Sequence, residues 1–227
     1  MKKLYKYIIA SVIISLVVYY SISFEDLEEI KEQKHRVTFN AAEYARDFWD
    51  NRLNSVIDNA VNAKELIELF KTNMAQAIDR YGKTPGVSRV YAYLLKGEGN
   101  ILTIGEDFVD ISTKETETNP DIRIITGFYI PGNAIRDASG LIDVSDFQDT
   151  MKFNEIGNEI NKIAVKEVIR PFLDKNPQAG DTIRFIGATQ VARDAAEETP
   201  SGQLVGDGTE GKELQLVRIV PIRLELE

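Results

Sequence analysis

Hydrophobic positions along this chain change their period twice. From Phe39 to Tyr81 they recur at helical spacing. Tyr44, Phe48, Trp49, Leu53, Val56, Ile57 and Ala60 fall in one broad stripe; Leu66, Ile67, Leu69, Phe70, Met74, Ala77, Ile78 and Tyr81 fall in a second. Asn40 stands where an N-cap belongs, with Phe39 before it to staple the first turn. Gly82 and Pro85 close the second stretch. After Val87 the pattern changes. "VSRVYAYLLKGEG", "NILTIGEDFVDIST" and "DIRIITGFYI" are rich in β-branched and aromatic residues and read as strands, with a turn or bulge at "KGEGN" between the first two. "MKFNEIGNEINKIAVKEVIRPFLDK" returns to the helical period, and Phe153, Ile156, Ile160, Ile163, Ala164, Val168 and Phe172 share one stripe. "DTIRFIGATQVA" and the closing "LQLVRIVPIRLELE" are strands again, divided by a polar, glycine-rich loop. In the last strand Leu214, Leu216, Val220, Ile222, Leu224 and Leu226 share a face, and Pro221 requires a bulge or an edge position.

The order after residue 87 is strand, strand, strand, helix, strand, strand. This predicts an α+β chain: a helical segment at 39–82, then an OB-like five-stranded antiparallel barrel at 87–227 with its helix between the third and fourth strands. An open antiparallel sheet with one packed helix is the competing architecture.

Upstream, Lys2, Lys3 and Lys6 precede an uncharged run from Tyr7 to Phe24, and acids follow it. That asymmetry predicts a single membrane-spanning helix at 1–24, cytoplasmic at its N-terminus. Residues 25–38 then form a charged connector, and 39–227 an extracytoplasmic domain. A signal peptide cut before Phe24 is the rival reading, because Ser21 and Ser23 are small and correctly spaced. Either way the domain is exported.

Composition narrows the chemistry. The chain has no cysteine, which excludes disulfides, thiolate metal sites, a cysteine nucleophile and an acylated cysteine. Its one histidine is His35, within the charged connector, so no histidine-based triad or zinc site can be assembled. The net charge is -9 and the pI about 4.9, a surface that repels nucleic-acid backbones. Gly97 and Gly99 in "KGEGN" lack the rest of a dinucleotide fingerprint, and no cofactor is expected. Asp143, Asp146 and Asp149 precede a helix and are read as caps, not as a calcium site. "DGTEGKE" does not fit a calcium loop's spacing. No metal site is expected. The candidates for a ligand site are Asn133, Arg136 and Asp137. An arginine fork can pin a loop through a carboxylate or hold an anionic or hydroxylated ligand. Asn154, Asn158 and Asn161 form a polar stripe on the following helix, placed to hydrogen-bond that loop.

Several of these stretches together ("FNAAEYARDFWDNRL", "YLLKGEGNI", "GNAIRDASGLIDVSDF", "FNEIGNEINK" and "VPIRLELE") resemble the bacterial family called domain of unknown function 2291, described as predicted periplasmic lipoproteins. Asn133, Arg136 and Asp137 match its most recognisable motif, and Trp49 its helical one. The resemblance implies an exported OB-like domain with an accessory role beside a sugar ABC transporter, its partners being transporter subunits or a small carbohydrate. It carries no catalytic residues. The sequence therefore predicts a non-enzymatic binding or assembly module in the inner membrane, facing the periplasm. An exported hydrolase working through carboxylates is the alternative.

Overall fold

The segments rich in β-branched and aromatic residues after Val87 do form strands. In the computed structural model, which describes residues 11–19, 39–114, 118–147, 149–193 and 216–227, six strands make one mixed sheet. They are β1 (Val61–Asn62), β2 (Val90–Ile104), β3 (Phe108–Ser112), β4 (Ile122–Ile125), β5 (Thr182–Ala192) and β6 (Val217–Leu226). Their order is β1-β2-β3-β4-β6-β5, and β5 also pairs with β2, antiparallel, from Val90 beside Ala192 to Asn100 beside Thr182. From β2 onward the pairings return to the strand they started from.

The expected all-antiparallel arrangement does not form. β4 and β6 are parallel, with Ile122 beside Val217 and Ile124 beside Ile219. The reason is parity: a circuit of five strands cannot alternate direction all the way round, so at least one pair must be parallel. The two-residue β1 adds a second parallel pair, Val61 beside Leu95. The class is α+β, as the sequence predicts, but the sheet is mixed.

Gly97 and Gly99 are also not a turn. β2 runs unbroken through both, and the chain turns only after Ile104. A Cβ at residue 97 would meet the Phe185 ring at 2.9 Å and the Ala63 Cβ at 3.2 Å; at residue 99 it would meet the Ser112 carbonyl oxygen at 2.7 Å. Glycine serves close packing in a strand here, not a reversal. Pro221 does bring the expected irregularity. It faces Gly187, where the register shifts between Ile186 and Gly187. Across this bulge the inward face of β6 moves from Val217 and Ile219 to Ile222 and Leu224, so one even-numbered face does not run the length of the strand.

The helical segment is more broken than its stripes suggest. It comprises α1 (Ala41–Asp47), a π turn (Phe48–Arg52), α2 (Asn54–Ile57), α3 (Ala63–Thr72) and α4 (Met74–Tyr81), with β1 intruding before α3. Asn62 and Asn73 account for two of the restarts. Each side chain accepts a backbone N–H of the helix it opens, from Lys64 at 2.9 Å and from Gln76 at 3.0 Å. Between β4 and β5 lie α5 (Ala134–Ser139), α6 (Thr150–Ala164), a second π turn (Val165–Ile169) and α7 (Arg170–Leu173). α6 packs on α1, and Arg46 ties the two regions together by pairing with both Asp50 and Glu167. One core joins Phe70, Tyr93, Leu95, Ile122, Phe172 and Phe185, all fully buried or nearly so.

The chain divides into Met1–Asn40 and Ala41–Glu227. In the first unit, residues 11–19 are helical and their apolar side chains are exposed. No described helix is long and apolar enough to cross a membrane. The rest of the expected span, the 25–38 connector with His35, and the 194–215 loop carrying "DGTEGKE" lie outside the described residues.

Gly99→Ala should lower Tm by roughly 3–10 °C in thermal denaturation followed by circular dichroism, because the Ser112 carbonyl cannot yield without breaking the β2–β3 ladder. An unchanged Tm would show that the ladder opens freely at this point.

Candidate functional site

The strand β4 ends because Thr126 and Gly127 both donate their N–H groups to the Asp107 carbonyl, at 2.8 and 3.1 Å. The apolar "GFYI" that follows is therefore loop and not strand. Gly132, at φ 73°, turns the chain into α5, and Gly140, at φ 64°, ends it in the left-handed conformation. Every residue of this six-residue helix is buried.

Arg136 lies at its centre, 3% exposed. Its Nε donates to Asp137 Oδ1 at 2.7 Å, and one terminal nitrogen lies 2.7 Å from the same oxygen. The other terminal nitrogen donates to the Phe153 carbonyl at 2.8 Å. The guanidinium lies over the Phe153 ring, 3.5 Å from its centroid. The second oxygen of Asp137 accepts from Gln190 Nε2 on β5 at 2.8 Å. An extended backbone would send neighbouring side chains to opposite faces and forbid an Arg136–Asp137 pair. Here the segment is helical, successive side chains are about 100° apart, and the two meet. The cluster joins α5, α6 and β5, with its polar groups turned inward.

Burial sets the electrostatics. Loss of solvent pushes the Asp137 carboxyl above its ordinary range, against the pull of Arg136 and the Gln190 hydrogen bond. The same loss lowers the Arg136 guanidinium from its usual value, against the pull of Asp137.

The asparagines divide. Asn161, 7% exposed, donates through Nδ2 to the carbonyls of Gly132 at 2.8 Å and Ile130 at 3.3 Å, so it does hold the loop; its Oδ1 has no donor. Asn133 precedes α5 without capping it, and its buried Oδ1 also has no donor. That oxygen sits against Gly157, where a Cβ would come within 1.9 Å of it. Asn154 and Asn158 are exposed. Trp49 is half-buried in the first π turn. The three aspartates cap. Asp143 accepts from the Ser145 N–H at 2.8 Å while Asp146 accepts from the Asp143 N–H at 3.1 Å, and Asp149 accepts from Met151 at 2.8 Å. Among the described residues no group of three or more histidines and acids could hold a metal.

Beside this corner runs an open groove of about 600 Å³. Phe128 and Tyr129, each 81% exposed, line it from the loop; Glu155, Asn158, Glu159, Asn161 and Lys162 line it from α6. Sequence reasoning missed Phe128 and Tyr129 because they continue an apolar strand pattern. It missed Gln190 because nothing local links it to a residue on the far side of α6. The signal available was Pro131–Gly132 just after the two rings, which marks the run as a loop.

A family model described as predicted periplasmic lipoprotein (DUF2291) matches residues 12–201. A crystal structure of an OB-fold protein from Thermotoga maritima is similar over 83% of this chain and 99% of its own, at 26% identity and a TM-score of 0.67. No curated protein matches.

Arg136→Ala leaves the buried Asp137 carboxyl without its charged partner, with only the Gln190 donor, and should cost about 3–5 kcal/mol of stability, read by urea denaturation. Arg136→Lys should restore only part, since an ammonium cannot reproduce the fork. A normal midpoint for the alanine variant would refute the pinning role. Asp137 also predicts a pH trend. Its folded pKa is raised, so its contribution is complete below the unfolded value and lost as pH rises through the folded one. The stability of the native chain relative to Asp137→Asn should therefore be greatest in acid and decline toward neutrality. The opposite slope would mean that attraction to Arg136 outweighs burial.

Proposed function

As this chain belongs to the DUF2291 family of predicted periplasmic lipoproteins, we propose that it is a membrane-anchored extracytoplasmic module that binds and assembles without catalysing a reaction. The closed circuit of strand pairings from β2 is read as an OB-like barrel, the fold of its structural neighbour. The uncharged run from Tyr7 to Phe24 is assigned to the membrane. In its support, the described part at 11–19 is helical with exposed apolar side chains, and the chain has no cysteine to carry a lipid.

The observation that carries the binding role is where the polar groups of the corner go. Arg136 and Asp137, the most reactive-looking pair in the sequence, are spent on each other, on Phe153 and on Gln190. A general base or acid needs a free edge toward substrate, and this pair keeps none. The same corner instead presents Phe128 and Tyr129 outward. Two neighbouring aromatic rings in solvent are the anchor type enriched at protein interfaces. The partner assigned to them is a transporter subunit, in an accessory role beside a sugar ABC transporter, as the family resemblance implies.

Affinity capture of the intact chain from its host membranes tests this. Transporter subunits should co-purify with the native protein and be lost, or reduced at least about tenfold, with Phe128→Ala/Tyr129→Ala, whose Tm should be unchanged because both rings are exposed. Equal recovery with both proteins would remove the loop from the interface, and capture of no transporter subunit would remove the accessory role.

A further inference from the structure

The groove beside α6 has a chemical bias. Its walls are the rings of Phe128 and Tyr129. Its opposite side carries Glu155 and Glu159, four residues apart and so on one face of the helix. Lys162 also borders it, but its Nζ already donates to Glu159 Oε1 at 2.6 Å. Glu155 makes no ion pair among the described residues. Asn161 borders the groove as well. It is more than nine-tenths buried, both its amide bonds go to the loop carbonyls, and its Oδ1 lacks a donor. The groove thus offers two carboxylates, Glu155 and Glu159, the second shared with a lysine.

Aromatic faces beside surplus carboxylates favour a cation with several N–H donors and a short hydrocarbon stem. The chain itself gives the precedent, since the Arg170 guanidinium already lies 5.6 Å from the centroid of the Phe128 ring. The overall charge of -9 steers cations toward the domain and anions away.

We infer that the groove between the Phe128–Tyr129 loop and α6 is a binding site for an alkylguanidinium or alkylammonium group. This rests on the reading of the loop as a binding surface and gives that surface a ligand chemistry. A small free amine and a lysine or arginine side chain of a partner share the chemistry.

Calorimetric titration of the full chain in detergent micelles tests the site. The probes are butylguanidinium, 1,4-diaminobutane, an end-blocked Gly-Arg-Gly peptide and glucose. Butylguanidinium or the diamine should bind saturably and weaken with added salt. Glu155→Gln/Glu159→Gln should reduce affinity at least about tenfold, and Tyr129→Ala should weaken it by a comparable factor. Glu155 and Tyr129 are exposed, and glutamine keeps the size of the half-buried Glu159, so both variants should keep the native Tm. Tighter binding of the peptide than of butylguanidinium would identify a partner side chain as the source, and the reverse a free amine. Either order supports the site. Saturable binding of glucose in place of the cations, indifference to the double glutamine variant, or no saturable binding of any probe at about 10 mM, a Kd weaker than any specific site needs, would overturn it. The titration involves no transporter, so loss of the accessory role would leave a positive result standing.

Discussion

A guanidinium placed where water cannot reach it organises this domain. Removing the Arg136 charge from solvent costs several kcal/mol, and only close, well-directed partners offset that. The chain supplies them from three elements: Asp137 on the same short helix, the Phe153 carbonyl and ring on α6, and Gln190 on β5 holding the far side of Asp137. Each partner has to be near its ideal distance for the burial to be tolerated, so the requirement fixes three elements at once. A helix of six residues has no stability of its own. α5 exists because its buried side chains and this ion pair hold it between the sheet and α6.

Much of the fold could be read from local pattern, for reasons that are themselves local. The α6 stripe predicted its buried face because a helix on a sheet must turn one side inward, and Phe153, Ile156 and Ile160 do so. The three aspartates before it cap, since a carboxylate next to free N–H groups at a helix start has little else to do. Pro221 forces an irregularity because it cannot donate to the ladder. What failed was non-local. Gly97 and Gly99 look like a turn to any reading confined to their neighbours; their reason lies in Phe185 and Ser112, across strand pairings no local window contains. The parallel β4–β6 pair follows from counting strands in a circuit, which requires knowing that the circuit closes.

The candidate site was legible in the same uneven way. Residue type marked Arg136 and Asp137 as chemically interesting, but type cannot say whether a charge faces inward. The deciding fact is helical geometry over 134–139, which brings neighbours in sequence together where an extended chain would part them. The motif that makes this segment recognisable is therefore a packing motif. It reports the fold and says little about the ligand. Phe128, Tyr129, Glu155 and Glu159, which shape the open groove, lie beside the Asn133–Asp137 stretch and make none of the Arg136 contacts.

Asn161 is where packing and recognition meet. Its Nδ2 anchors the loop at Ile130, one residue after the exposed rings end, and at Gly132, two before the buried helix begins. Its Oδ1 is buried without a donor. The two halves of one amide cannot be oriented independently: the hydrogen bonds that place Phe128 and Tyr129 also set the direction of the oxygen. Gly157, one helical turn before Asn161, lets Asn133 approach the helix closely enough for those bonds to form. The shape of the groove and the rigidity of the Arg136 corner are thus consequences of a single close approach between loop and helix.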